Sequence, residues 1–146
     1  MNLQTINDVA SELFDSLKQQ KIIQPLTDRY PEIDIKDAYQ ISRQFLSLRE
    51  AVGEKVIGKK IGVTSSVVQE MLGVDQPDFG FLTDAMRVQN RSTFSIEDSL
   101  IQPRAEAEIA FILKEDLFGP GVSKEDVIAA TDKILPCFDI VDSSIV

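Results

Sequence analysis

Pro103-Arg104-Ala105-Glu106-Ala107-Glu108-Ile109-Ala110-Phe111-Ile112-Leu113 has the apolar density and the β-compatible ending of a strand. Period-two alternation places Ala105, Ala107, Ile109, Phe111 and Leu113 on one wholly apolar face suited to a core. Arg104, Glu106, Glu108, Ala110 and Ile112 fall on the other, so both carboxylates point the same way, about 6.5–7 Å apart. At an effective dielectric of about 20 they repel by roughly 2.5 kcal/mol. A hard divalent cation such as Mg²⁺, commonly held by one or two carboxylates, would relieve that repulsion. A solvent-facing strand, with Arg104 paired to Glu106 and Glu108 hydrated, would tolerate it. These residues alone leave both readings open.

Working outward, the chain has 146 residues, 43% hydrophobic and 27% charged, ordinary values for a globular domain. A net charge of −9 argues against nucleic acid and anionic membranes as partners, which are bound through Lys/Arg clusters. The single cysteine, Cys137, excludes an internal disulfide. No cationic start followed by an apolar run opens the chain, and no stretch is long enough to span a bilayer. The expected location is cytoplasmic. Histidine is absent, which removes Ser-His-Asp and Cys-His catalysis and His-ligated zinc together. Acid/base chemistry must then use Asp, Glu, Lys, Tyr, Cys or metal-bound water.

Upstream, Ile6, Val9, Ala10, Leu13, Phe14 and Leu17 have the spacing of an amphipathic helix. Pro25 and Pro31 predict a loop over Gln24 to Ile33. A second helix should follow Asp34 as N-cap and run to about Val52, burying Ala38, Ile41, Phe45, Leu48 and Val52, with Tyr39 and Arg43 as surface decoration. Lys55 to Val63 reads as a strand in which Lys60 shares its face with Gly58 and Gly62. That leaves open space for close approach of a ligand, although an edge-strand lysine that discourages aggregation has the same pattern. Thr64, Ser65 and Ser66 offer N-cap hydroxyls, with Gln69 three residues after Ser66 as in a capping box, for a short helix from Val67 to Leu72 stopped by Gly73. Val74 to Leu82 reads as a loop carrying Asp78, a turn residue or an acid/base group. Met86 to Gln89 and Ser92 to Ile96 are weak strand or loop segments. Downstream, Ser123 with Asp126 should cap a helix to about Ile134, stopped by Pro136 and followed by a strand from Cys137 to Asp142. Asp139 and Asp142 have opposite parity there, so only one can face a given site.

Four blocks in one order, Val56-Ile57-Gly58-Lys59-Lys60-Ile61-Gly62-Val63-Thr64-Ser65, Gln76-Pro77-Asp78-Phe79-Gly80-Phe81-Leu82-Thr83-Asp84-Ala85-Met86, Gln102 to Phe111 and Gly119-Pro120-Gly121-Val122, closely resemble the 2-oxopent-4-enoate (2-hydroxypentadienoate) hydratases. These lie in the fumarylacetoacetate hydrolase superfamily, beside the 4-oxalocrotonate decarboxylases. The resemblance implies an α+β fold, with an N-terminal helical region over 1–53 packed on part of a mixed β-roll over 54–146. Family members continue through a C-terminal portion that completes the roll, and this portion is expected to be missing here.

The resemblance further implies hydration of 2-hydroxypenta-2,4-dienoate to 4-hydroxy-2-oxopentanoate in meta-cleavage catabolism of aromatic compounds. The alternatives are 4-oxalocrotonate decarboxylation and a truncated, non-catalytic family member. Implied too are a Mg²⁺ or Mn²⁺ site at Glu106, Glu108 and Asp139, catalytic roles for Lys60 and Asp78, and a substrate-binding role for Arg104. The implied partners are a small 2-oxo or 2-hydroxy-dienoic acid, further copies of the chain in a homo-oligomer, and a decarboxylase in complex with it. Two positions depart from the family pattern: Asp139 stands where the family has glutamate, and Ser144 where it usually has arginine.

Overall fold

The periodicity of the first fifty residues produces two 17-residue helices, α1 (Leu3–Gln19) and α3 (Ile35–Ala51), with a one-turn helix α2 (Leu26–Arg29) inside the expected loop. The computed structural model describes residues 1–93 and 95–145. Ile6, Val9 and Ala10 of α1 and Ile41 of α3 are buried against one another, enclosed by Leu13, Leu26, Tyr30, Ile33, Phe45 and Leu48. Phe14 meets Phe45 edge to face, with ring centroids 6.1 Å apart. Asp34 caps α3 as expected, accepting from the Asp37 N–H at 2.8 Å while Asp37 returns the bond. The α3 stripe differs at both ends, because Ala38 and Val52 are exposed and Arg49 is buried.

Arg49 can be buried because it is paired. Its Nε donates to Glu54 Oε2 at 2.7 Å and its Nη2 to Thr83 Oγ1 at 3.3 Å. The fully buried Thr83 hydroxyl in turn donates to the same Glu54 oxygen at 2.5 Å. These bonds fasten the end of α3 to the end of strand β2 (Asp78–Thr83), which pairs antiparallel with β1 (Val56–Gly62). The segment expected as a loop from Val74 is therefore a strand from Asp78 onward. Pairing with β1 determines this, while Pro77 and Gly80 suggested punctuation. Helix α4 (Ser66–Leu72) forms between them and ends on Gly73, with Ser65, one of the three candidate hydroxyls, as N-cap. The expected capping box is absent there: Gln69 Nε2 donates to the Val63 carbonyl at 2.8 Å. A 3₁₀ turn, Asp84–Met86, follows β2, and Lys55 and Asp84 exchange bonds across its base. The expected segment Ser92 to Ile96 includes Phe94, which lies outside the described residues; the rest of it is irregular.

The second half supplies an antiparallel ribbon, β3 (Arg104–Leu113) with β4 (Thr131–Val141), and a short helix α5 (Lys124–Ala130) capped reciprocally by Ser123 and Asp126. The helix stops at Ala130, not near Ile134, and Pro136 lies within β4 opposite Ile109. Proline is tolerated in a strand at an edge, and among the described residues β4 pairs with β3 alone. The apolar face expected to be core is exposed, with Ile109 at 64% and Phe138 at 78%. The seven-residue α5 is too short to cover a ten-residue ribbon.

The chain is α+β, and among the described residues its strands form two two-stranded antiparallel ribbons. By compactness, one unit is Met1–Ile101 with Ser144–Val146 and the other is Gln102–Ser143. The Arg49–Glu54–Thr83 bonds explain why β1 and β2 stay with the helices. Among the described residues no helix is long and apolar enough to cross a membrane.

Several carboxylates titrate below their ordinary range. Arg29 holds Glu12 down through a two-pronged hydrogen bond at 2.6 and 2.6 Å. Asp84 is lowered chiefly by the Lys55 N–H, and Asp126 by the Ser123 N–H. A carboxylate whose folded pKa is depressed stabilises the fold above its unfolded pKa and ceases to do so as pH falls through the folded value. The melting temperature should therefore hold steady from pH 7 to about 5 and drop below about 4. Arg29→Gln should soften that acid drop only slightly, because an exposed pair contributes about 0.5 kcal/mol. Calorimetry across pH checks both.

Candidate functional site

The β1–β2 register decides which side chains share a face. Lys60 is directly opposite Gly80, Gly62 opposite Asp78, and Gly58 opposite Leu82. Lys60 thus has glycine on both sides along its own strand and glycine across from it, and its side chain is half-buried. Asp78 lies on the same face at the diagonal position, where backbones are about 7–8 Å apart and long side chains reach. Lys59, on the opposite face, is exposed, as a surface lysine should be. Gly80 is the member that sequence reading missed. It alternates with Asp78 and Leu82, but Pro77 and Gly80 give the stretch the punctuation of a loop.

The β3–β4 register performs the same sorting on the second ribbon. Glu106 is directly opposite Asp139, and Glu108 opposite Cys137, with no register shift before Ile112. Residues opposite one another in an antiparallel pair project to the same side, with Cβ atoms about 4.5–5.5 Å apart. Glu106, Glu108 and Asp139 therefore share one face, and Arg104 joins them two positions before Glu106. Glu108 and Asp139 are half-buried, whereas Glu106 and Arg104 are exposed. Asp142 has the opposite parity and is used elsewhere, accepting from the Gln102 N–H at 2.6 Å.

The donor set on this face is oxygen-rich and negative, which suits a hard divalent cation in a chain without histidine. Among the described residues no group of three or more Asp, Glu, His or Cys side chains is drawn together tightly enough to hold a metal ion. The strand repeat accounts for part of the spread, since it separates the Glu106 and Glu108 positions by about 6.5–7 Å. Asp139 is also one methylene shorter than glutamate. Cys137, the single cysteine and exposed, is on the same face directly opposite Glu108. It places a natural chemical reporter beside the carboxylates.

No family model matches the chain. It is 55% identical over 145 residues to a 2-hydroxypent-2,4-dienoate hydratase of Pseudomonas putida, covering 99% of this chain and 65% of that protein. It is 57% identical over 143 residues to a 2-hydroxyhexa-2,4-dienoate hydratase of Comamonas testosteroni, covering 97% of this chain and 54% of that one. Among solved structures, 4-oxalocrotonate decarboxylase from Pseudomonas putida G7, complexed with magnesium and adipate, superimposes with a TM-score of 0.93 at 32% identity. That match covers 99% of this chain and 55% of the decarboxylase. The chain thus spans between about half and two thirds of the relatives it matches. Along nearly the whole of its own length, this chain is similar to dienoate hydratases.

Proposed function

We propose that the protein is a cytoplasmic, divalent-metal-dependent hydratase that adds water to 2-hydroxypenta-2,4-dienoate, yielding 4-hydroxy-2-oxopentanoate. The observation that carries this reading is the 55–57% identity to two dienoate hydratases over almost all of the chain, against 32% to the decarboxylase. Glu106, Glu108 and Asp139 are the residues that would hold the metal, and the register that gives them one face supports this. When bound, the ion supplies Lewis-acid stabilisation of negative charge on the substrate oxygen next to the carboxylate.

The chain's own groups manage the protons and the substrate's charge. The enol proton leaves the C2 oxygen and a proton arrives at C5, moving the double bond to C3–C4. Water then adds, its oxygen to C4 and a proton to C3. Lys60 is assigned the proton transfer, because its glycine neighbours leave room for an extended substrate beside its amine. Asp78, on the same face, orients the water or accepts its proton. Arg104 offers the substrate carboxylate a two-pronged partner.

The test presents the protein with the dienoate and Mg²⁺, and separately with 4-oxalocrotonate. The expected result is loss of dienoate with appearance of the hydroxyoxoacid, and no carbon dioxide from oxalocrotonate. Carbon dioxide from the second substrate with the first untouched would make it a decarboxylase. Independently of turnover, saturating Mg²⁺ should slow alkylation of Cys137 severalfold, since that thiol shares the carboxylate face. An unchanged alkylation rate would count against the metal assignment.

A further inference from the structure

We propose that Gly62 is a positioning residue for Asp78: the missing Cβ at position 62 is the seat that holds the Asp78 carboxylate on the Lys60 face. The inference rests on the roles given above to Lys60 and Asp78. It begins from a contact that, among the described residues, no other glycine makes. A Cβ built on Gly62 would collide with Asp78 Oδ1, and would stand 3.2 Å from its Cγ and 3.5 Å from Oδ2. At Gly58 the nearest such atom is Leu82 Cδ1 at an ordinary 3.8 Å, and at Gly80 nothing comes within 4 Å. Gly62 does not have a positive φ, so no backbone requirement for glycine explains it. What the position requires is the space.

Two features indicate that a side chain at 62 would move the aspartate and not the strand. Gly62 is a paired residue of β1, and the next residue is held firmly in an unusual state. Val63 has φ +54°, a left-handed conformation that a β-branched residue enters at a cost of about 1–3 kcal/mol. Its carbonyl is held at 2.8 Å by Gln69 of α4. The carboxylate, by contrast, is the free end of an exposed side chain and can turn about its first side-chain torsion. Gly62→Ala should therefore leave stability nearly unchanged while turning the Asp78 carboxylate out of its seat.

The experiment compares the wild type, Gly62→Ala, Asp78→Asn and the double variant. It reads melting temperature, kcat, KM and the Asp78 side-chain torsion from NMR couplings. For Gly62→Ala the expected result is a melting temperature within about 2 °C, KM within about twofold, kcat lower by about 10–100-fold and a changed Asp78 rotamer. Adding Gly62→Ala to Asp78→Asn should cost nothing further in kcat. An unchanged Asp78 rotamer overturns the proposal, as do multiplicative losses in the double variant. If the wild type turns over no dienoate, the functional reading fails and the rotamer alone decides the seat. If Asp78→Asn retains normal kcat, the rotamer change must still appear but the seat no longer serves catalysis, and the positioning role is refuted.

Discussion

Glu108→Gln should weaken Mg²⁺ binding on the order of 100-fold and lower turnover at fixed metal at least as much. Groups that merely support metal ligands already cost 10–100-fold when removed, so a ligand itself should cost no less. The same substitution should have the opposite sign on the metal-free protein. It removes one of three carboxylates from a single ribbon face, where like charges on neighbouring positions destabilise. Metal-free Glu108→Gln should therefore melt slightly higher than wild type, by the equivalent of no more than about 2.5 kcal/mol and less where water screens the pair. Titration calorimetry with Mg²⁺ and melting with and without the ion separate the two effects. An unaltered affinity would remove the ribbon from the metal assignment, and a lower metal-free melting temperature would show that Glu108 is there for the fold.

Arg49→Met should be the most damaging single change to the folded state, at about 3 kcal/mol, or roughly 10 °C in melting temperature. The arginine is buried at the end of α3, and it satisfies the Glu54 carboxylate and touches the Thr83 hydroxyl. Its guanidinium also lies 5.8 Å from the centre of the Phe45 ring. Removing it strands a mostly buried carboxylate, which is the costly half of breaking such a pair. Adding Glu54→Gln should recover part of the loss, since a neutral amide is cheaper to leave in place. Methionine fills the volume left by the arginine stem, so a cavity is not the cause. A double-mutant cycle read by chemical denaturation measures the coupling. Independent, additive losses from the two substitutions would show that the pair does not hold α3 to β2.

The helical part was legible because its signals are local. The apolar spacing of Ile6, Val9, Ala10 and Leu13, and Asp34 before Ile35, act within a few residues along the chain. The same-face placement of Glu106 and Glu108 needed only strand parity, which the sequence carries. What it could not carry was register between distant strands. Nothing near Lys60 indicates that Gly80 lies across from it, and nothing near Glu106 indicates Asp139. Pro136 shows a second kind of failure. A proline after a helical segment reads as a stop, but here pairing with β3 took over at Thr131 and carried the strand through it. The apolar face of β3 has the pattern of a core yet is exposed for a similar reason: alternation tells which residues agree with one another, not whether anything covers them.

The unit from Gln102 to Ser143 is an excursion with its two ends clasped. Gln102 donates from its side chain to the Ser143 carbonyl at 3.1 Å, and the following Ser144 accepts from the Ile23 N–H at 2.7 Å. Chain entropy for such a closed detour grows only logarithmically, by about 0.6 kcal/mol for each doubling of a flexible loop. By that measure, a few residues added to the connection over 114–123 should cost well under about 1 kcal/mol in closure entropy.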